Sequence, residues 1–292
     1  MELKEPRKKS YSRRQSKSFL SLFEQRSAPP AYFDGFSVLV KDEDLIQQLH
    51  TKGCFGKANL SRSYPKTRPN DVEIIRKRVY DARKRFPNSG SKKVVVVPNS
   101  DSEDDYFTNL KANYCIANSC FKEKLALSLE EAFFLNTAIK CLNIHHQNKI
   151  LDGNSAWNLF VTTDRYFVQN YAAYHYFRSR NWIVKPGAKF GGDYLLYKQG
   201  PAFFHASYLV IIDILDESTL HRRKDMNRRS MEVANLIGLN RLCETVGKEL
   251  MICQIMWPKD IHNLKFSELN RLSIREVIMK RWMLSENRES HK

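Results

Sequence analysis

The stretch WIVKPGAKFGGDYLLYKQGPAFFHASYLVII, residues 182–212, decides how this chain is read. Its apolar segments are rich in β-branched and aromatic residues and are separated by turn signals such as Pro186-Gly187 and Gly200-Pro201. That pattern predicts strands at 182–184, 190–197 and 206–212, joined by turns. A further strand is expected at 250–255 after a helical stretch at 230–246, and a last one at 274–282. Strands interrupted by one long helix imply a compact α/β domain with a mixed sheet.

Upstream the period changes to that of a helix. Phe167, Tyr171, Tyr174 and Phe177/Arg178 follow Asp164 at helical spacing, and such a stripe is expected in a core rather than on an RNA platform. A short helix is expected at 156–160. Ser128-Leu129-Glu130-Glu131 has capping-box spacing and should open a helix running to Leu142. Nearer the N-terminus, a strand at 36–40 precedes a helix capped by Asp42, carrying Leu45, Ile46 and Leu49 and stopped at Gly53. Gly53-Cys54-Phe55-Gly56-Lys57 lacks the four-residue spacer and the Ser/Thr of a phosphate-binding loop, and reads as a turn. A basic helix is expected at 72–86, a strand at 94–97 and an acidic loop at 100–105. The overall division is a disordered basic tail (1–30), a small N-terminal module (31–120), a helical domain (121–180), a compact α/β domain (181–285) and a short tail (286–292). The fold class is α/β, in the α+β sense.

The 292 residues include 48 Lys and Arg against 32 Asp and Glu, a formal charge of +16. An excess of that size points to a polyanionic partner, nucleic acid before an acidic membrane surface. The serine-rich tail adds Arg7-Lys8-Lys9 and Arg13-Arg14, suited to a nuclear-import or RNA-contacting arm. No apolar run approaches the roughly 20 residues that span a bilayer, and no secretory signal segment is expected at the start. The six cysteines form no CxxC pair, and His145-His146 near Cys141 lack a fourth ligand. Neither a metal site nor a cofactor is expected, and the thiols should be reduced and mostly buried in a cytosolic or nuclear protein.

Cleaving RNA without a metal uses the substrate's 2′-hydroxyl as nucleophile. It requires a base near that oxygen, an acid near the departing 5′-oxygen and a cation for the crowded phosphorane. Tyr197 ends a predicted strand, a turn follows, and His205 opens the next strand, which brings both to one sheet edge. Lys248, at the helix-to-strand junction, can reach the same edge. Taken singly, each has an ordinary reading as a packed tyrosine, a surface histidine or a solvated lysine, and periodicity leaves the function undecided. A metal-dependent nuclease would instead need clustered acids with a lysine on adjacent strand positions. Asp193, Asp213 and Glu249 are scattered in this reading and form no Glu-x-Lys element.

The run YHYFRSRNWIVKPGAKFGGDYLLY at 174–197, continuing through Gly200-Pro201 to HASYLV at 205–210, resembles the tRNA-intron endonuclease family. VGKEL at 246–250 resembles its lysine-bearing segment. The resemblance covers about 127–282. It extends more weakly to 47–64, where LHTKGCFGK and LSRS are similar to the N-terminal module of the eukaryotic catalytic subunit assigned to the 5′ splice site. It implies Tyr197 as base, His205 as acid and Lys248 as phosphate-stabilising cation, with 2′,3′-cyclic phosphate and 5′-hydroxyl products, formally a lyase reaction. An unperturbed tyrosine is only about 0.1% ionised at pH 7, so nearby positive charge must assist it. The resemblance further implies that Arg241 and Trp282 clamp a flipped-out intron base. Arg241 precedes Lys248 by two helical turns, which would set both on one face. Also implied are an intron-containing pre-tRNA substrate, a nuclear location, and a heterotetramer with a second nuclease subunit and two structural subunits. A non-catalytic, tRNA-binding subunit of the same complex is the alternative, and its expected mark is loss of the triad.

Overall fold

The structure, a computed structural model, describes residues 7–9, 28–59, 95–97, 113–115, 124–261 and 264–280. The chain divides into two units, Arg14–Thr163 and Asp164–Lys292, the second also taking in Met1–Arg13. The boundary between helical and catalytic regions, expected at 181, therefore falls at Asp164. The reason is packing: the aromatic helix that follows Asp164 lies on the C-terminal sheet. The expected basic helix at 72–86 and acidic loop at 100–105 lie outside the described residues.

In the first unit, strands β1 (Pro30–Phe33) and β2 (Val38–Val40) form a hairpin, followed by helix α1 (Glu43–Gly53) and β3 (Lys57–Ala58). Asp42 caps α1 as expected, its side chain accepting from the Leu45 N–H at 2.7 Å. The left-handed residue that ends α1 is Cys54, at φ 54°, rather than Gly53. Strands β4 (Val95–Val97) and β5 (Asn113–Cys115) pair with each other and, among the described residues, with no other strand. Then β6 (Leu125–Leu127) leads into helix α2 (Leu129–Phe133) through the Ser128–Glu131 capping box. Instead of reaching Leu142, α2 widens into a π-type turn over Phe134–Ala138, and Lys140 adopts φ 60°. The hairpin of β7 (Asn143–His146) and β8 (Lys149–Ile150) completes a six-stranded sheet in the order β3-β6-β2-β1-β7-β8. The region expected to be a helical domain thus contributes three strands to this sheet. Helix α3 (Gly153–Thr163) sends Trp157 against Phe133 and Phe160 against Phe33, with ring centroids 5.4 and 5.7 Å apart. The Gly56 N–H donates to the Glu131 carboxylate at 3.1 Å, so the glycine-bearing turn holds an acid of its own chain.

In the second unit, helix α4 (Phe167–Ser179) precedes strands β9 (Ile183–Pro186), β10 (Tyr194–Tyr197) and β11 (Tyr208–Asp216). Helix α5 (Val233–Thr245), β12 (Glu249–Trp257) and β13 (Ser273–Met279) follow. The sheet order is β13-β12-β11-β10-β9, and β11 runs parallel to β12 while the other pairings are antiparallel. The parallel pair is joined by the crossover helix α5, as parallel strands require. Covered on both faces, β11 is buried over YLVIIDIL. One face receives Phe167, Tyr171, Tyr174 and Phe177 of α4, all 2% exposed or less, as the core-stripe reading expects. The other receives Leu236 and Leu239 of α5, which pack on Leu195, Leu209, Ile211 and Leu250. The last segment is a strand, as expected. The strand expected from 190 starts only at Tyr194, because Ala188–Phe190 is a single 3-10 turn closed by left-handed Gly191 at φ 77°. Among the described residues no helix is long and apolar enough to cross a membrane.

Candidate active site

Three strands finish in step at one edge of the C-terminal sheet. The Ser207 N–H donates to the Leu196 carbonyl at 2.9 Å, and the Glu249 N–H donates to the Ser207 carbonyl at 3.0 Å. Tyr197 is the last residue of β10, His205 lies two residues before this rung on the approach to β11, and Lys248 lies one residue before β12. The antiparallel β10–β11 pairing and the parallel β11–β12 pairing together put all three at the same end of the sheet. The turn between the first two is closed by the Phe203 and Phe204 N–H groups, both donating to the Gly200 carbonyl at 3.1 Å.

The three side chains occupy different environments. Tyr197 is 2% exposed, and its ring belongs to the cluster of Leu195, Ala206, Leu209, Ile211, Cys243 and Leu250. Packing on that scale removes rotamer freedom from the phenol. His205 is exposed and Lys248 is half-buried.

Lys248 is delivered by the end of α5. The Gly247 N–H donates to the Glu244 carbonyl at 3.0 Å and the Lys248 N–H to the Cys243 carbonyl at 2.8 Å, with Gly247 at φ 69°. This paired pattern about a left-handed glycine is a Schellman stop. It turns the chain out of the helix and starts β12 with Lys248 at its mouth. The Lys248 Nζ lies 4.6 Å from the centroid of the Phe190 ring, which itself packs on the Tyr197 cluster. A cation over an aromatic face is attracted by the ring quadrupole. Burial pushes the Cys243 thiol up to about 11, while the positive charge of Lys248 pulls the other way. Cys243 packs in the tyrosine's cluster, Phe190 packs against that cluster, and Lys248 lies over the Phe190 ring. Sequence reasoning missed Phe190. The signal available was its place before Gly191-Gly192, which bends the chain back over the sheet.

Behind this edge, Gly191-Gly192-Asp193 is a structural latch. The Asp193 carboxylate accepts from the Ile212 N–H at 2.8 Å and from Arg229 Nη2 at 2.7 Å, and Arg229 also donates to the Gly191 carbonyl. A Cβ on Gly192 would meet Leu209 Cδ1 at 2.5 Å and the Val210 carbonyl oxygen at 2.9 Å. Asp213 is paired with Arg222 at 2.5 Å, and burial lifts its carboxyl above the usual range despite that partner. The Glu249 carboxylate is 3.5 Å from Lys280. Glu249 is level with Tyr208 and Asp213 with Gln254, five residues further along, or about 16 Å at the usual strand rise. Asp213 and Glu249, two of the three acids of the metal-dependent reading, are therefore far apart along the strands. In the other unit, the His145 and His146 rings lie against Tyr32 and Phe33, with centroids 5.5 and 5.3 Å apart.

Arg241 is exposed on α5. The two-turn argument that would align it with Lys248 does not hold, because α5 ends at Thr245 and Lys248 lies beyond the Gly247 reversal. Trp282 lies outside the described residues.

A family model described as the catalytic C-terminal domain of tRNA intron endonuclease matches residues 167–262, which run from the start of α4 to just beyond β12. The chain is 40% identical over 169 residues to the tRNA-splicing endonuclease subunit Sen2 of Rattus norvegicus, covering 57% of this chain and 36% of the relative. It is 32% identical over 184 residues to subunit SEN2 of Saccharomyces cerevisiae, covering 57% of this chain and 43% of that protein. Similarity to the probable subunit sen2 of Schizosaccharomyces pombe is 27% over 331 aligned positions, covering 87% of this chain and 85% of the relative. The chain spans about a third of the length of the mammalian relatives it matches.

Proposed function

We propose that this chain, whose residues 167–262 match the family model of the tRNA intron endonuclease catalytic C-terminal domain, is the nuclease subunit of a tRNA-splicing endonuclease. It cuts intron-containing pre-tRNA at the 5′ splice site without a metal. The observation that carries the reading is the shared edge, where Tyr197, His205 and Lys248 approach one rung through the Ser207 and Glu249 hydrogen bonds.

In the reaction, Tyr197 accepts the proton of the 2′-hydroxyl, whose oxygen attacks the adjacent phosphorus. Lys248 stabilises the added negative charge on the phosphorane. His205 gives its proton to the 5′-oxygen as the P–O5′ bond breaks, leaving a 2′,3′-cyclic phosphate and a 5′-hydroxyl. The buried phenol, the half-buried lysine and the exposed histidine at one end of the sheet suit base, electrostatic stabiliser and acid in that order. Arg241, exposed on α5, and Trp282 would hold an unstacked intron base. The net charge of +16 suits a nucleic-acid substrate. The working enzyme is a nuclear heterotetramer in which a second nuclease subunit and two structural subunits complete the measurement of the tRNA.

The test is cleavage of an intron-containing pre-tRNA, in EDTA, by complexes assembled with the parent chain or with His205→Ala. Loss of the 5′-site cut alone, by about a hundredfold or more, is the expected result. An unchanged pattern would transfer the chain to the non-catalytic subunit reading, and loss of all cleavage by the parent in EDTA would favour the metal-dependent one.

A further inference from the structure

Residues 7–9, expected to belong to a disordered tail, lie instead along the turn that carries His205. Lys8 and Phe204 form an antiparallel bridge. The His205 N–H donates to the Arg7 carbonyl at 3.1 Å, and the Lys9 N–H donates to the Phe203 carbonyl at 2.9 Å. The added segment therefore ties down the backbone on both sides of Phe204 and holds the histidine's own N–H.

This register fixes which side chains meet. Lys8 is opposite Phe204, so Arg7 is opposite His205, and directly opposed residues of an antiparallel pair share a face. Lys8 points to the other face. A Cβ on Gly247 would lie 3.5 Å from Arg7 Nη1 and 4.0 Å from Arg7 Cζ. The exposed Arg7 guanidinium thus sits over the Schellman glycine, immediately before Lys248 and across from His205. Arg7, from a distant part of the sequence, thus lies opposite the histidine and beside the glycine that precedes Lys248.

We propose that Arg7 is a substrate-phosphate-binding residue of the nuclease site, brought there by strand addition of residues 7–9 to the 203–205 turn. The inference rests on the nuclease reading given above. A planar guanidinium can hold two oxygens of one phosphate at once, and this geometry is open to an incoming backbone beside Lys248. An RNA phosphodiester placed between Arg7, His205 and Lys248 has its charge met from two sides, while the histidine stays directed at the departing oxygen. The segment also supplies backbone hydrogen bonds that keep His205 from swinging away with its turn.

The experiment is single-turnover cleavage of intron-containing pre-tRNA at saturating enzyme by fully assembled complexes carrying the parent chain, Arg7→Ala, Arg7→Lys, Lys8→Ala or His205→Ala. Arg7→Ala should slow the cut made by this subunit by about tenfold to a hundredfold, with assembly and cleavage at the other splice site unchanged. Arg7→Lys should recover part of the rate, since charge returns without the fork. Lys8→Ala, one residue away but on the opposite face, should cut within about threefold of the parent, an effect small beside that of Arg7. If His205→Ala loses cleavage while Arg7→Ala and Lys8→Ala behave alike, the Arg7 assignment is overturned and the nuclease reading stands. Faster cutting by Arg7→Ala would also overturn it, making the segment a plug over the site. If His205→Ala itself cuts normally, the underlying nuclease reading is what fails.

Discussion

The backbone N–H of Glu249 donates to the carbonyl of Ser207 at 3.0 Å, and that bond joins the two halves of the proposed catalytic edge. Ser207 is the second residue after His205, and Glu249 directly follows Lys248. Because β11 and β12 are parallel, the chain must leave the sheet and return through α5, and the rung can close only if α5 stops at the right residue. The position of Lys248 is therefore a property of a helix end as much as of a strand.

Gly247 is that end, and its φ of 69° is a conformation in which any Cβ is strained. Gly247→Ala should cost about 1–2 kcal/mol, read as a lowered urea midpoint. It should also slow cleavage by moving Lys248. Gly247→Asn, which tolerates the left-handed region better, should fall between the two. An alanine variant with the parent's midpoint would mean that the Schellman stop is not what holds the loop.

Gly192 is constrained by space rather than by φ. Its missing Cβ would sit 2.5 Å from Leu209 Cδ1 and 2.7 Å from Cγ. Gly192→Ala should destabilise by about 1–3 kcal/mol through overpacking. The double variant with Leu209→Ala should cost less than the sum of the two single changes, since the leucine provides most of the clash. Simple additivity in thermal unfolding would point to a backbone effect instead.

Much of this was legible in the sequence because periodicity and punctuation agree there. Asp42 and Ser128 cap the helices they precede, and the aromatic stripe from Phe167 to Phe177 is buried on helical spacing. Gly200-Pro201 does separate the tyrosine strand from the histidine approach. What failed depended on tertiary contacts. The α2 helix ends early in a π-type turn, and no local signal marks that. Strands at 125–127 and 143–150 are two to four residues long, too short to show alternation against their helical surroundings. The bridge of Lys8 to Phe204 joins positions nearly two hundred residues apart, and a basic, serine-rich stretch carries no hint of it. The face shared by Arg241 and Lys248 was inferred by extending a helix through a glycine that stops it.

Asp193 separates a structural acid from a metal ligand. Its carboxylate holds the Ile212 N–H and Arg229, and its side chain is 6% exposed. Asp193→Asn should lose about 1–3 kcal/mol of stability by weakening both bonds. Per folded molecule, however, cleavage should stay within a few-fold of the parent, and equally so in EDTA and in magnesium. A variant of normal stability whose cleavage is abolished would assign the acid to chemistry and revive the metal-dependent reading.

Cys243 gives the fold an alkaline limit with a defined sign. Its thiol ordinarily titrates near 9.0 and is pushed up to about 11 in the fold, first by burial, with the positive charge of Lys248 opposing. A raised folded value means that the folded state holds the proton more tightly than the unfolded chain. The contribution is fully present below pH 9 and is lost as pH rises from there through about 11. Cys253, in the same unit, is raised as well, so the parent's alkaline slope has more than one source. The decisive quantity is the difference between parent and Cys243→Ala. The variant's urea midpoint should fall less steeply than the parent's between pH 9 and 11, whatever the constant loss from the small cavity. In parallel, alkylation of Cys243 by iodoacetamide at pH 8 should be slow in the native protein and fast in denaturant, because the thiolate is the reacting form. Parallel midpoint curves for parent and variant, or rapid native labelling at Cys243, would show that the thiol is not held protonated beside Tyr197.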